Sequence, residues 1–131
     1  MTKPDLSTRR QRLRELHEAM GALLGELMGR EALLKAYLSY APRTCGSPGC
    51  HCRRGELHPA WIVRLPQGRN RSVSAPVYER LRPPAAAYQR FRAAARRWRR
   101  LAREAEQLLR ELEALRRVDA QGALEEKHTD G

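Results

Sequence analysis

Apolar residues in the first third of the chain recur at alternating steps of three and four. Leu13, Leu16, Met20, Leu23, Leu27, Leu34 and Tyr37 keep this register, with Arg30 its one polar position. Such a stripe lies along one face of a helix at heptad spacing. Asp5 and Ser7 stand where a helix N-cap belongs, so the pattern predicts a helix running to about Tyr40. Ala41-Pro42 ends it, because the residue before proline disfavours the α region. Gly21, Gly25 and Gly29 recur at every fourth residue, and either allow close helix packing or simply weaken the helix.

The pattern then changes. Residues 43–59 carry Gly46, Pro48, Gly49, Gly55 and Pro59 and read as a loop. Ala60 to Leu65 and Arg71 to Ala75 alternate as strands, with Trp61, Val63 and Leu65 on one face. Residues 66–70, Pro-Gln-Gly-Arg-Asn, are turn chemistry between them, which predicts a β-hairpin. After a short helical turn over Val77 to Arg82, a second long helix is expected from about Pro84 to Val118. Its register is Ala87, Phe91, Ala94, Trp98, Leu101, Ala105, Leu108, Leu112 and Leu115.

These elements imply a mainly α protein. Two helices of about 34 and 35 residues, each spanning roughly 50 Å, form an antiparallel hairpin or coiled coil with a small zinc loop and β-hairpin at the tip. The expected segments are an N-terminal helix (1–42), a zinc-binding loop and hairpin (43–76), a C-terminal helix (77–118) and a disordered polar tail (119–131), all in one domain. A homodimer through the same stripes is the alternative to the monomeric hairpin.

Charge sharpens this picture through its placement. The chain carries 26 Lys and Arg against 15 Asp and Glu, a formal net charge of +11. Residues 43–103 hold 15 of the basic residues and only two acids, Glu56 and Glu79, so the excess lies in the middle. Arginines at 90, 92, 96, 97, 99, 100 and 103 crowd one stretch, with no acid between Arg80 and Arg103. Arg53, Arg54, Arg64, Arg69 and Arg71 add charge from the loop and hairpin. Arginine grips phosphate through a bidentate fork, so the field suits a polyanion. Phe91 and Trp98 fall in the apolar register and read as packing residues rather than base-stacking platforms.

Three cysteines fall within eight residues, spaced C-x4-C-x-C, and His58 follows after five intervening residues. An odd, tight cluster suits a metal in a reduced compartment better than disulfides. Cys45, Cys50, Cys52 and His58 form a Cys3His set of the kind that holds structural zinc in a tetrahedron. His51 competes with His58 for the fourth position, but it stands between two ligands and points away while they point in. Glu56 is the one acid nearby, which favours a closed structural site over a catalytic one.

The stretch from Cys45 to Cys52, with its flanks, resembles an uncharacterised bacterial family of short proteins. That family's pattern is C-G-x-P-G-C-x-C, then H-G-P-Y, a basic strand hairpin, and a Val-Pro step into a long helix. Here His58-Pro59-Ala60-Trp61 replaces H-G-P-Y, residues 69–72 (Arg-Asn-Arg-Ser) match the basic strand, and Ala75-Pro76 with Tyr78 matches the step. The resemblance covers about residues 30–115, and its specific part is the Cys/His spacing. The glycine after the histidine is absent, and an aromatic run has shrunk to Trp61. Members look like companions of transposases and other mobile elements, which implies a DNA-related accessory role.

The expected function is therefore nucleic-acid binding through arginine–phosphate contacts, DNA preferred over RNA, without catalysis. No Ser/His/Asp set, paired carboxylates or phosphate-cradling glycine loop stands in the sequence. The alternative is a helical adaptor that docks a larger protein such as a recombinase or nuclease. No membrane partner is expected, since no apolar run reaches spanning length and no signal-peptide core stands at the N-terminus. The expected location is cytoplasmic, on the nucleoid if the chain binds DNA.

Overall fold

The computed structural model describes residues 5–51 and 55–129. In order, the elements are helix α1 (Leu6–Leu27), strands β1 (Tyr37–Tyr40), β2 (Trp61–Arg64) and β3 (Asn70–Val73), and helices α2 (Ala75–Arg116) and α3 (Ala120–Thr129). Helix dominates, and the strands form one antiparallel sheet in the order β1-β2-β3. The chain divides into two compact units, one made of Met1–Leu27 with Ala94–Gly131, the other of Met28–Ala93.

In the first unit, α1 starts on an Asp5 cap, whose Oδ1 accepts the Thr8 backbone N–H at 2.8 Å. That bond holds the Asp5 carboxyl below the usual carboxylate range. The heptad stripe faces inward: Leu16 is buried, and Leu13, Met20, Leu23 and Leu27 are half-buried. On α2, Ala94 and Leu108 are buried and Trp98, Leu101, Ala105 and Leu112 half-buried, whereas Leu115, in the same register, is exposed. Two ion pairs join the helices. Arg9 Nε meets Glu111 Oε2 at 3.2 Å, and Arg12 pairs with Glu104, its second contact, Nη2 to Oε1, at 2.9 Å. Such partly exposed pairs set register more than they stabilise. Leu16 is 1 % exposed. Leu16→Ala should therefore cost about 2–5 kcal/mol in a urea melt, whereas Leu115→Ala should cost well under about 1 kcal/mol.

The N-terminal helix is shorter than its apolar register predicts, ending at Leu27 rather than near Tyr40. Residues 37–40, Tyr-Leu-Ser-Tyr, form strand β1 instead. Tyrosines are good strand formers, and pairing along β2 wins over a helical register already broken at Arg30. Gly21 and Gly25 would meet nothing within 4 Å if given a Cβ, so neither serves close packing.

The second unit holds the sheet. β1 pairs β2 with Tyr37 opposite Arg64, Leu38 opposite Val63 and Tyr40 opposite Trp61. β2 pairs β3 with Trp61 opposite Val73 and Val63 opposite Arg71. The predicted two-stranded hairpin is thus present with a third strand added. Residues 65–69 close it: the Leu65 N–H donates to the Arg69 carbonyl at 2.8 Å, and Gln67 and Gly68 take positive φ of 65° and 73°. The Trp61 ring lies 4.5 Å from Tyr40 and 4.8 Å from Tyr78 of α2, so the face carrying Trp61 and Val63 turns toward that helix. Ile62 and Val63 are both buried.

α2 begins at Ala75, nine residues before the expected start at Pro84, and runs through Pro83 and Pro84 to Arg116. Prolines inside a helix remove two intrahelical N–H donors. The chain accommodates them beside a tertiary bond, in which the Leu34 N–H donates to the Pro84 carbonyl at 3.0 Å. Where the sequence suggests an irregular tail, Ala120–Thr129 is helical (α3), capped by Asp119, whose Oδ2 accepts the Gly122 N–H at 3.1 Å.

Candidate metal centre

The β1–β2 ladder continues past the named strands and builds the stem of the site. The Ala41 N–H donates to the Ala60 carbonyl at 2.8 Å. Arg43 and His58 then exchange both backbone bonds, at 3.0 and 2.9 Å. His58 is therefore fixed by its own main chain on the stem of the loop, and Cys45 stands two residues beyond its bridge partner Arg43. Between them, Ser47-Pro48-Gly49-Cys50 makes a tight turn in which the Cys50 N–H donates to the Ser47 carbonyl at 3.2 Å. Proline suits the second position of such a turn, and the turn carries Cys50 back toward the stem.

Cys45, Cys50 and His58 converge. Their ligand atoms all lie within 4.8 Å of one another, and each side chain is half-buried. Cys50 Sγ is 3.0 Å from His58 Nε2. In a zinc tetrahedron with Zn–S near 2.3 Å and Zn–N near 2.0 Å, a sulfur and a nitrogen sit roughly 3.6 Å apart. This pair lies about 0.6 Å inside that spacing, and with all three ligand atoms within 4.8 Å of one another the group could hold a metal ion. Hydrogen bonds that the His58 ring donates to Cys50, and then to Cys45, raise the His58 pKa above its ordinary value.

Cys52, the third cysteine of the motif, lies outside the described residues, as do Arg53 and Arg54. His51 is exposed. Its Nδ1 is 3.8 Å from Cys50 Sγ and its ring 5.2 Å from that of His58, so it stands beside the group without joining it. Glu56 is exposed as well.

The arginines that the sequence marks for a polyanion separate into two settings. Arg64 ends β2, Arg69 closes the hairpin turn, and Arg71 lies on β3, all exposed. Arg90, Arg92, Arg96, Arg97, Arg99, Arg100 and Arg103 lie on α2, all exposed. Arg90 meets Glu31 at 2.9 Å, and Arg92 donates to the Tyr88 hydroxyl at 3.2 Å. Among the described residues, Arg96, Arg97, Arg99, Arg100 and Arg103 have no carboxylate partner. At 100° per residue, Arg96, Arg99 and Arg103 form a ridge opposite the apolar stripe.

Local sequence pattern misses the stem, where Arg43 supplies the two backbone bonds that hold His58. The alternation through Tyr-Leu-Ser-Tyr and on to Arg43 is its signal, masked by the helical register that shares Tyr37. Comparison with protein-family models, curated proteins and solved structures found no match for this chain. Among the described residues, no helix is long and apolar enough to cross a membrane.

Proposed function

We propose that the chain is a zinc-stabilised nucleic-acid-binding protein that grips phosphate with the arginines of α2, DNA preferred over RNA. The observation that carries this reading is the run from Arg96 to Arg103, five exposed guanidiniums on successive turns without a carboxylate partner among the described residues. Like charges three and four residues apart repel along a helix. Arg9, Arg12, Arg82 and Arg90 each have a carboxylate in reach, whereas the guanidiniums of Arg96 to Arg103 crowd one stretch of helix with none among the described residues. A polyphosphate backbone supplies the missing partner, with little sequence information.

In the same reading the metal is zinc, held by Cys45, Cys50 and His58 with Cys52 as fourth ligand, and its role is structural. Zinc supplies the loop of residues 44–57 with the cross-link that a loop whose described residues are exposed or half-buried lacks. α1 and the second half of α2 form an antiparallel hairpin, supported by the two ion pairs whose partners run in opposite order along the two helices. The resemblance to companions of mobile elements favours an accessory role in DNA processing, in the cytoplasm, without a reaction of its own.

The test of the binding reading is an electrophoretic shift with an unrelated duplex. A shift at low salt that fades as salt rises is expected, and the lack of any shift at low salt would remove the reading. The ligand assignment has its own check. His58→Ala should lower zinc retention on a chelating column by about tenfold or more, the range typical for disturbed metal sites, while His51→Ala should leave it near wild type. The opposite ranking would exchange the two histidines.

A further inference from the structure

A cleft of about 270 Å³ opens between the start of β1 and helix α2. Ala36, Tyr37 and Leu38 line it from the strand side, and Tyr78, Arg82 and Gln89 from the helix. It is smaller than the roughly 300–1,000 Å³ of pockets that hold drug-sized ligands, and suits one small group.

Three independent observations describe what would fill it. Gln89 Nε2 is buried and has no hydrogen-bond partner among the described residues. A buried donor left unmade is costly, and a turn of the Gln89 amide into the cleft it lines brings that N–H to a carbonyl acceptor. Tyr37, at the rim, is 65 % exposed although it sits in a paired strand, which leaves its ring available as a stacking surface. The surroundings are cationic: Arg82 lines the cleft, Arg64 is the direct cross-strand partner of Tyr37, and Arg92 lies over the Tyr88 ring at 5.9 Å. Arg82 is partly neutralised by Glu79 at 3.0 Å, while no carboxylate partner of Arg64 or Arg92 stands among the described residues.

We propose that this cleft is a subsite for an unpaired nucleobase, so that the chain's preferred ligand is single-stranded rather than duplex nucleic acid. The proposal rests on the nucleic-acid reading above and adds the strandedness of the ligand. A base offers a π-face to Tyr37 and a ring carbonyl to the Gln89 amide, and its backbone brings phosphates to the arginines beside the cleft. Inside a duplex the same base has both faces stacked and cannot enter. Stacking on aromatic rings tolerates any base, which agrees with the sparse polar lining of the cleft.

The experiment compares fluorescence anisotropy of a labelled oligothymidylate, long enough for one site, with that of a labelled duplex of equal length. A ribo-oligonucleotide of the same sequence forms a third arm and distinguishes RNA from DNA. Tyr37→Phe should bind like wild type. Tyr37→Ala and Gln89→Leu should each weaken single-strand affinity by about fivefold or more and leave duplex affinity unchanged. Circular dichroism confirms that each variant folds. Single-strand binding by both variants equal to wild type overturns the subsite while leaving arginine–phosphate binding intact. An equal loss for duplex and single strand overturns it too. Wild-type protein that binds neither ligand at low salt removes the nucleic-acid reading itself. Photocrosslinking of wild-type protein to a 5-iodouracil oligonucleotide needs no variant: an adduct on the peptide bearing Tyr37 is expected, and adducts confined to other peptides reject the site.

Discussion

Cys50→Ser should release the metal and melt residues 37–73, while most of the helical circular-dichroism signal survives. The reason lies in how little else holds this part together. Each of the three strands has four residues, and only Ile62 and Val63 among the strand residues are buried. No described residue of the loop 44–57 is buried. Two backbone bonds at the Arg43–His58 stem and one turn bond at Cys50 cannot offset the entropy of ordering such a loop. Zinc binding contributes roughly 10–16 kcal/mol in small zinc-dependent folds, as much as a whole domain's net stability. A serine oxygen is a poor substitute for thiolate, so losing Cys50 removes most of that contribution. The helices stand on their own stripes and caps, with Asp5 holding the start of α1 and Leu16 and Leu108 buried. The measurements are metal content by elemental analysis and the indole resonance of Trp61, whose ring is packed between Tyr40 and Tyr78. One zinc per wild-type chain, none in the variant and a collapsed Trp61 resonance are expected. A metal-free wild-type protein with a sharp, native Trp61 resonance would exclude the metal as a structural element.

The elements that a single periodicity controls were legible in the sequence. The α2 stripe from Ala87 to Leu112 is buried or half-buried as its heptad spacing demands, and the hairpin of β2 and β3 follows from alternation around a Pro-Gln-Gly turn. The convergence of Cys45, Cys50 and His58 was legible too, because a loop with Gly46, Pro48 and Gly49 must turn back on itself. What failed was arbitration between periods. Leu34 and Tyr37 keep the helical register of α1 by coincidence, and the strand pairing of Tyr37 with Arg64 spans 27 positions, beyond the reach of any local pattern. Proline misled in the same way. Pro83-Pro84 reads as the start of a second helix after a separate turn at Val77 to Arg82, yet α2 runs from Ala75 through both prolines and the Leu34 N–H meets the Pro84 carbonyl from outside. The cleft at Gln89 depends on that misplaced segment, so no local pattern announces it.

The second large effect belongs to the arginines of α2. Replacing Arg96, Arg97, Arg99 and Arg100 with Gln should keep the helix, since Gln is a good helix former. It also relieves repulsion between neighbouring turns, so thermal stability should hold or rise. Binding should nevertheless fall steeply. Each arginine–phosphate pairing removed from a duplex complex lowers the slope of log affinity against log salt by about 0.9, or about 3.6 for all four arginines. Arg110 and Arg116 stand among Glu106, Glu111 and Glu113, so their substitution by Gln should change both affinity and slope little. An affinity indifferent to all four substitutions would place these guanidiniums against an acidic protein face, the adaptor role, rather than phosphate.

Phosphate recognition is the central claim, and the dependence of affinity on salt reads it out directly. Wild-type protein and the fourfold Gln variant are titrated onto the same unrelated duplex across a salt series from about 50 to 200 mM. The expected result is a straight, steep fall of log affinity with log salt for wild type, and a slope shallower by about 3.6 for the variant. Equal slopes for the two proteins, or a wild-type affinity that does not change with salt, would contradict it.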